Sequence, residues 1–401
     1  MDDDILSQGG DRDPSPWPRR LAMIAALVVV VAGGAVYLAL PHQHAPAAAH
    51  RARATASPAP VPTGQAALSL PPGPDGIAGQ TLAWDRSLRL PAAGAQPAWF
   101  SPASGSSQSI GGLPAGRPGY QFTRAVGGWA VQADPAMPVG CGSCAGPPAP
   151  VWFLADRAQS VTLVGTANLV APAATAGAVW LTSYPPGAAM TTSAGTALEV
   201  GPTGALTRPV TLPPGYAIVQ GTDRGLLLAP VSQPPGAAVS KLWNPSSSRT
   251  TKEFGQVIAA SPGEVALAPQ CAATCSVQVL DLATGRHTVV KLPAGSSAAS
   301  GAFSPDGRLL ALQVSSGGDG GELATQLQVA AVTSGRLTAV PGTSASSDAL
   351  VGFGWPAAGD SLVAEFRFTT KVQLASWHPG TSRPAVTVVQ PGRSQASLIL
   401  G

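Results

Sequence analysis

Four cysteines, in two closely spaced pairs, are the residues of this chain with the most sharply defined chemistry. Cys141 and Cys144 are separated by Gly-Ser, and Cys271 and Cys275 by Ala-Ala-Thr. Outside the cytoplasm four cysteines usually form two disulfides, and these short spacings favour two local bridges. A redox-active pair at Cys141 and Cys144 is the alternative, but it needs a helix N-terminus or a cation to lower the thiol pKa, and the flanking residues supply neither. The sequence therefore predicts two structural disulfides.

Other patterns that support catalysis are missing from the sequence. It contains no G-x-S-x-G, no H-E-x-x-H and no phosphate-binding glycine loop between a strand and a helix. His287 and His378 fall at predicted hairpin turns, where surface histidines are more common than general bases. Asp319 and Glu322 supply too few oxygen ligands for a calcium site. We therefore predict no catalytic residue, no metal site and no cofactor.

The clearest structural unit covers residues 301–342. The stretch GAFS leads into a tight-turn motif formed by Ser304, Pro305, Asp306 and Gly307. Proline fixes φ at the second position of such a turn, and Asp and Gly suit the next two positions. The following RLLALQV is apolar on both faces, as expected of a strand buried within a sheet. A second hairpin turns at residues 333–335, so the unit is predicted to be a four-stranded antiparallel meander.

The second hairpin of this unit recurs along the chain. SVQVLDLATGRHTVV at 276–290 aligns without gaps after a shift of 50 residues, which places Thr284 and Gly285 on Ser334 and Gly335. Further matches at 197–207 and 371–380, and weaker copies at 151–164 and 239–250, place the full set of turns near residues 158, 204, 247, 285, 335 and 380. A period of roughly 40–45 residues with four strands per unit is typical of β-propeller blades.

These motifs resemble those of a known group of proteins. SPDGR followed by an apolar strand, together with the VLDLATGR hairpin, resembles the TolB-like and WD-repeat propellers. Residues 303–312 carry the strongest match, 276–290 the next, and the resemblance covers about residues 120–401. The Gly-His and Trp-Asp marks of true WD repeats are absent, which favours the TolB-like type. The resemblance implies an all-β propeller fold but specifies no function, because propellers host many functions.

The predicted number of blades depends on the strand-like residues that lie outside the six repeat units. Six units span residues 120–390, and residues 77–91 and the C-terminal SQASLIL also read as strands. Because propellers commonly close with one blade built from both chain ends, we predict seven blades within residues 75–401, with six or eight as alternatives. Each cysteine pair falls between the second and third strands of its unit. The pairs are three units apart, which argues against a shared zinc site.

A membrane anchor is predicted ahead of this domain. Residues 21–40 contain no charge, and a 20-residue helix spans about 30 Å, the thickness of the hydrocarbon core. Signal-peptide cores are shorter, so we predict an uncleaved single-pass transmembrane helix, with cleavage near Ala49 as the alternative. Residues 1–20 then form a cytoplasmic tail. Residues 41–74, with eight prolines and ten alanines, form a disordered stalk that carries an extracytoplasmic domain at the cell membrane.

Charge and composition leave two classes of function. The net charge of +3 is spread thinly along the chain, so nucleic acid is not an expected partner. We favour a non-catalytic binding or scaffold module for an envelope protein, peptide or glycan. Its contacts should come from loops between blades and between second and third strands, such as 136–150 and 315–324. The alternative is an extracytoplasmic lyase, cyclase or dehydrogenase that uses the central funnel.

Overall fold

Antiparallel strands and their connections make up the described part of this chain. The structure, a computed structural model, describes residues 77–79, 97–101, 106–114, 119–134, 143–156, 158–231, 239–271, 274–317, 323–346, 350–356, 361–367 and 372–389. The predicted tail, anchor and stalk lie outside these residues, as does the predicted C-terminal strand.

The first three strands form a small sheet of their own. They are β1 (Ile77–Gly79), β2 (Ala98–Ser101) and β3 (Ser106–Ser109), which pair antiparallel in chain order. The chain then runs along the side of the first blade, where Gly111 forms a bridge with Ser160. Ile110 is buried in the core cluster of that blade, so hydrogen bonds and apolar packing both join the small sheet to the propeller.

Blades 1 to 3 follow as consecutive meanders. Blade 1 consists of β4 (Tyr120–Ala125), β5 (Gly128–Ala133), β6 (Ala149–Ala155) and β7 (Thr162–Ala167). Blade 2 consists of β8 (Leu169–Pro172), β9 (Val179–Ser183), β10 (Thr196–Gly201) and a fourth strand split into β11 (Gly204–Ala205) and β12 (Val210–Thr211). Blade 3 consists of β13 (Tyr216–Thr222), β14 (Gly225–Pro230), β15 (Ser240–Asn244) and β16 (Arg249–Phe254).

Blades 4 to 6 repeat the same arrangement. Blade 4 consists of β17 (Val257–Ala260), β18 (Glu264–Cys271), β19 (Cys275–Asp281) and β20 (His287–Lys291). Blade 5 consists of β21 (Ser296–Phe303), β22 (Leu309–Gly317), β23 (Leu323–Ala331) and a split fourth strand, β24 (Leu337–Ala339) and β25 (Ala345–Ser346). Blade 6 consists of β26 (Leu350–Gly354), β27 (Leu362–Arg367), β28 (Val372–Trp377) and β29 (Ala385–Val389).

The six repeat units predicted from the sequence are confirmed as blades, but the predicted count of seven is wrong. All six predicted hairpin turns lie between the third and fourth strands of a blade. The seventh blade was expected from residues 77–91 and the C-terminal SQASLIL. Instead β1 pairs with β2 from the same N-terminal region, and the described residues form six four-stranded blades beside a three-stranded sheet. A strand forms its backbone hydrogen bonds with whichever strand edge lies nearest in space. For β1 that edge belongs to β2, which is close to it in the sequence.

A β-bulge recurs at the same place in four of the six blades. The first strand of each of blades 3 to 6 contains a β-bulge against the second strand. A bulge increases the local twist of a strand. Its repetition at the strand nearest the propeller axis indicates that these blades share one backbone geometry. The bulges lie at Ile218/Gln220, Val257/Ala259, Ala298/Ser300 and Leu350/Gly352.

The hydrophobic core lies between neighbouring blades. On β22, Leu310 and Leu312 are fully buried in a cluster shared with blade 4. Ala311, which points to the other face of the same strand, belongs to a cluster shared with blade 6. The prediction that RLLALQV is buried on both faces is therefore confirmed. Each inner sheet face needs a neighbouring blade to cover it, as in other repeat architectures.

Candidate functional site

The two ends of the blades carry different kinds of connection. In an antiparallel meander, the first-to-second and third-to-fourth connections lie at one end of the strands, and the second-to-third connections lie at the other. We call the first end the turn face. We call the second end, which also carries the links between blades, the loop face. The predicted binding loops belong to the loop face.

The loop face is asymmetric in the length of its connections, which are long in blades 1 to 3 and short in blades 4 to 6. In blades 1 to 3 the second-to-third connections are residues 134–148, 184–195 and 231–239. In blades 4 to 6 they are only residues 272–274, 318–322 and 368–371. Both ends of the predicted loop 315–324 belong to strands, because β22 continues to Gly317 and β23 begins at Leu323; residues 318–322 lie outside the described residues. The predicted loop 136–150 overlaps the start of β6.

Two of the long loops are joined by backbone hydrogen bonds across the boundary between blades 1 and 2. Cys144 forms an antiparallel bridge with Ala189. The Ala145 N–H donates to the Ala188 carbonyl at 2.9 Å, and the Gly187 N–H donates to the Ala145 carbonyl at 2.8 Å. These contacts are the same kind that hold strands together in a sheet, so they order loop residues that would otherwise be independent.

A buried asparagine fixes the same loops from beneath. Asn168, in the link between blades 1 and 2, is 6% exposed. Its side-chain amide donates to the Gly146 carbonyl at 2.8 Å, while its Oδ1 accepts from the Tyr184 N–H at 2.8 Å. The Tyr184 hydroxyl donates to the Tyr216 carbonyl of blade 3 at 3.1 Å. Burial raises the pKa of Tyr184 to about 12, so it stays protonated as a donor.

Further backbone contacts extend this arrangement to blade 3. The Gly215 N–H donates to the Ser193 carbonyl at 3.1 Å, and the Val231 N–H donates to the Gly215 carbonyl at 2.8 Å. We call the joined residues 143–148, 184–195 and 212–216 the loop platform. Sequence reasoning found only the first of these segments. The repeated Pro-Pro-Gly at 185–187 and 213–215 was a signal that could have indicated the others, because Pro and Gly specify turn geometry.

One of the two predicted disulfides lies within the described residues. Cys271 ends β18, Cys275 begins β19, and the two are joined across the hairpin of blade 4. The bridge lies on the loop face, between second and third strands, as the sequence indicated. Cys141 lies outside the described residues, so its pairing with Cys144 stays a prediction. Cys144 belongs to blade 1, three blades away from Cys271 and Cys275, and this separation argues against a four-cysteine metal site.

The predicted turn motifs lie on the turn face. Gly307 has a φ of 70°, and its N–H donates to the Ser304 carbonyl at 2.8 Å. The Ser304 hydroxyl donates to the Asp306 carboxylate at 2.6 Å and lowers the pKa of Asp306. Pro305 occupies the exposed second position of the turn. This is the tight turn between β21 and β22 that the Ser-Pro-Asp-Gly sequence predicts.

The two repeated hairpin turns have the same backbone shape but different surroundings. Gly285, after Thr284, has a φ of 73°, and Gly335, after Ser334, has a φ of 68°. A Cβ added to Gly285 would meet nothing within 4 Å, whereas a Cβ added to Gly335 would collide with the carbonyl of Val289 on blade 4. Only the second turn therefore makes a close contact between blades.

Glu264 marks another close contact on the turn face. Its carboxylate accepts a hydrogen bond from the Ser261 hydroxyl. A Cβ on Gly307 of blade 5 would lie 2.8 Å from the Glu264 Oε1 atom, which shows how closely the two turns pack. Burial is the largest influence and raises the pKa of Glu264; the Ser261 hydrogen bond opposes it, and the negative charges of Asp281, Asp306 and Asp223 add smaller increases.

The raised pKa of Glu264 predicts a pH-dependent effect of removing its charge. The unfolded chain loses the Glu264 proton near the ordinary pKa of 4.5, before the folded protein does. Stability therefore falls as the pH rises from this value through the folded pKa. We expect Glu264→Gln to increase the urea midpoint of unfolding at pH 7 and to leave it unchanged at pH 4.

A matched substitution should give the opposite sign. The backbone N–H of Thr284 is the main cause that lowers the pKa of Asp281, so its charged form stabilises the fold above the ordinary pKa of 3.8. Asp281→Asn should decrease the urea midpoint at pH 7, and the difference should disappear as the pH falls through the folded pKa. Equal effects of Glu264→Gln at both pH values would show that its charge is not the cause.

The strands nearest the propeller axis contain few ionisable side chains. The described first strands of the six blades carry Tyr120, Arg124 and Tyr216, but none of them contains Asp, Glu or His. His287 begins β20 and His378 follows β28, so both lie at the turn face in outer hairpins. Both are exposed, as predicted for surface histidines.

One acid missed by sequence reasoning is fully buried. Glu365, in the middle of β27, has no exposed surface, and it lies on the strand face opposite Ala364 and Phe366, which pack towards blade 5. It belongs to a second strand rather than a first strand. The equivalent positions of blades 1 and 5 hold buried Gln132 and Gln313, so a polar side chain recurs here. The surrounding sequence, LVAEFRF at 362–368, gave no signal for its burial.

The described residues form neither a metal-binding cluster nor a membrane-spanning helix. Within the twelve described stretches, no group of three or more His, Cys, Asp or Glu side chains is arranged to hold a metal ion. The described stretches also contain no helix long and apolar enough to cross a membrane. Residues 21–40 are outside those stretches, so the membrane anchor stays a prediction. The possible calcium ligands Asp319 and Glu322 are also outside them.

Comparison with known proteins supports the fold and goes no further. No family model and no curated protein matches the chain. A structure from a study of two prolyl endopeptidases is 13% identical, with a TM-score of 0.51 over 79% of this chain and 51% of that one, about half its length. TolB from Acinetobacter baumannii is 13% identical, with a TM-score of 0.33 over 68% of each chain.

A third similar structure is the β-propeller domain of the Trilobed protease from Pyrococcus furiosus. It is 7% identical, with a TM-score of 0.45 over 68% of this chain and 86% of that one. Identities this low report on fold alone. The repeated four-stranded meanders define the chain as a β-propeller protein.

Proposed function

We propose that this protein is a non-catalytic binding module that captures an envelope protein, peptide or glycan through the loop face of its propeller. Residues 21–40 hold it in the cell membrane as a single-pass helix, and the stalk of residues 41–74 carries the propeller outside the cytoplasm. According to this proposal, the protein acts through a binding surface and not through catalytic side chains.

The observation that carries the proposal is the order of the loop platform. Binding loops lose affinity when they must be ordered on association, and loops that are already fixed avoid this cost. Asn168 and the backbone bonds between Ala145 and Ala188 fix loops from two blades before any partner arrives. Blade packing needs only short turns, as blades 4 to 6 show. The long, hydrogen-bonded loops therefore favour a role beyond folding.

The composition of the funnel supports binding over the enzyme alternative. A lyase, cyclase or dehydrogenase in the funnel would need acids or bases that converge on a substrate. The described first strands offer one arginine and two tyrosines as their ionisable side chains. Among the described residues, Glu365 is a fully buried acid that the enzyme alternative could use, and it lies on a second strand.

Replacement of the blade 2 loop tests the binding function. We expect exchange of residues 185–194 for a short Gly-Ser turn to abolish partner capture by the full chain in cross-linked membranes, because Ala188 and Ser193 then no longer join the loops of three blades. The thermal midpoint should change little, because the core between blades is retained. Exchange of residues 202–203, in the turn of the same blade on the opposite face, is the matched control.

The enzyme alternative makes a different prediction for the same variants. If the purified protein converts a substrate, and Glu365→Gln stops this reaction while leaving partner capture intact, the binding proposal is wrong. If the control exchange at 202–203 also abolishes capture, the loop face is not the binding surface. Both results can be read from the same set of preparations.

The membrane placement has its own test. A reporter enzyme that works only outside the cytoplasm should be active when it is fused after Gly401. The mature protein should also keep residues 1–20, because the uncharged span of 20 residues is long enough to remain in the membrane as an anchor. N-terminal sequencing and reporter activity measure the two parts. A mature N-terminus near Ala49 would instead indicate a secreted protein.

A further inference from the structure

Four basic side chains gather between the outer strands of blades 3 and 4, which are β16 and β20. On β16, Lys252 pairs in register with Leu242, and on β20, His287 pairs with Leu280. Leu242 and Leu280 both pack into the core cluster between these two blades. Cross-strand partners share one face of a sheet. Lys252 therefore lies on the side of blade 3 that faces blade 4, and His287 lies on the opposing side of blade 4.

Arg249 and Lys291 extend these two rows of basic residues. Side chains alternate along β20, which places Lys291 on the same face as His287. On β16, Arg249 pairs with Asn244, which comes two residues after Leu242 on β15 and shares its face. All four basic side chains are exposed although they face the neighbouring blade. The two outer strands are therefore separated by a cleft, which we call the basic cleft.

The acids in the strands of blades 3 and 4 lie on other faces. Glu253 is on the opposite face of β16, where its carboxylate lies 3.8 Å from the Lys241 Nζ atom. Glu264 and Asp281 pair with each other on the side of blade 4 that faces blade 5. Among the residues that the structure describes, none of the four basic side chains of the cleft forms an ion pair. The basic cleft therefore carries positive charge that no carboxylate of these strands neutralises.

Part of the basic cleft is ordered by contacts of its own. The Lys252 Nζ atom lies 5.6 Å from the centre of the Phe254 ring, and Phe254 is buried in the cluster beneath the cleft. A cation held over an aromatic ring has less freedom to lose when a partner binds. At the turn face, the Arg224 guanidinium donates to the Ala283 carbonyl at 3.0 Å, which joins blade 3 to blade 4 at that end.

β16 also offers backbone groups to a partner. It ends the strand order of its sheet, so one edge of the strand has no paired strand among the described residues. β20 ends its sheet as well, but blade 5 packs closely against it, because a Cβ on Gly335 would lie 2.3 Å from the Val289 carbonyl. Lysine on an edge strand prevents pairing with unselected strands. An acidic strand, however, would be attracted to the same edge.

We propose that the basic cleft is an interaction surface separate from the loop platform, and that it binds an extended acidic segment of a partner protein by strand addition to β16. Asp or Glu at alternate positions of the added strand would meet Arg249 and Lys252 on the same sheet face, and Lys291 across the cleft. The backbone of the segment would complete the open edge. An anionic polysaccharide or phosphate polymer would meet the charges but not these backbone groups, so the partner is a protein.

The test uses a fluorescent peptide of about ten residues, with Glu and Thr in alternation, and the full-length protein in detergent. The peptide should bind, and its affinity should fall at least about tenfold between roughly 0.05 and 0.5 M salt, because exposed ion pairs are screened. Lys252→Glu and Lys291→Glu should each weaken binding by about tenfold. Arg208→Glu makes the same change of charge at an exposed residue of blade 2 and should leave binding unchanged.

Modified peptides separate strand addition from attraction by charge alone. Alternate N–H groups of a strand point to opposite edges, so one of two peptides, N-methylated at every Glu or at every Thr, should lose binding and the other should keep it. If both methylated peptides bind as well as the parent, charge alone is recognised, and the protein assignment is wrong. Near-ultraviolet circular dichroism of the buried tryptophans checks that the substituted proteins are folded.

The remaining outcomes distinguish this inference from the proposed function. An equal loss with Arg208→Glu would show a response to net charge and would overturn the basic cleft as the site. Exchange of residues 185–194 should leave peptide binding intact, and a loss in that variant would place the peptide on the loop face instead. A protein that captures its partner through the loop platform but binds no acidic peptide would overturn this inference alone.

Discussion

Substitution of alanine for Gly335 is expected to destabilise the protein by about 3 kcal/mol. Roughly 1 kcal/mol of this loss comes from the positive φ, which alanine adopts unfavourably. The remainder comes from forcing a methyl group against the Val289 carbonyl of the neighbouring blade, a backbone atom that cannot rotate away. Urea unfolding followed by tryptophan fluorescence measures the loss directly.

Gly285→Ala is the matched control for this prediction. Gly285 occupies the equivalent turn of blade 4 with a φ of 73°, against 68° at Gly335, but its added methyl group would meet nothing within 4 Å. We expect a loss of only about 1 kcal/mol. Equal losses for the two variants would show that the close approach of blades 4 and 5 at this turn does not contribute to stability.

Truncation of Leu312 to alanine should cost about 4 kcal/mol, because the side chain is fully buried between blades and leaves a cavity that rigid sheets cannot close. Its neighbours in the cluster include Leu310 on β22, Val332 just after β23 and Val279 of blade 4. The same urea titration gives the free energy of unfolding.

Leu163→Ala provides the comparison for an exposed leucine. Leu163 lies on β7 and is 61% exposed, so its truncation should change the free energy of unfolding by less than about 0.5 kcal/mol. A small loss for Leu312→Ala would contradict the assignment of the stability of the propeller to the faces between blades. A large loss for Leu163→Ala would indicate that another surface covers blade 1.

Local patterns were sufficient to predict the blades themselves. Ser304–Gly307 and the repeated Thr/Ser-Gly turns at 284–285 and 334–335 fix where strands begin and end, because Pro and Gly restrict the backbone to turn geometry. The apolar stretch after Arg308 determined that β22 is covered on both sides. These features depend on residues close together in the sequence, and so they could be read from it.

Contacts between distant residues could not be predicted in the same way. The seventh blade was wrong because the choice of partner for β1 depends on which strand edge is nearby in three dimensions, and that edge belongs to β2. The burial of Glu365 likewise depends on what covers its side of blade 6, and a single acid in an apolar stretch does not reveal its neighbours.

The sequence alone determined the repeat, the strand-turn pattern and the position of each cysteine pair between second and third strands, because all three depend on local backbone preferences and spacing. Only the tertiary structure decided that Ala145 and Ala188 bond across blades and that Asn168 is shared by two loops. Those properties arise when separate meanders are brought side by side, since a loop acquires its partners only from the blade that packs next to it.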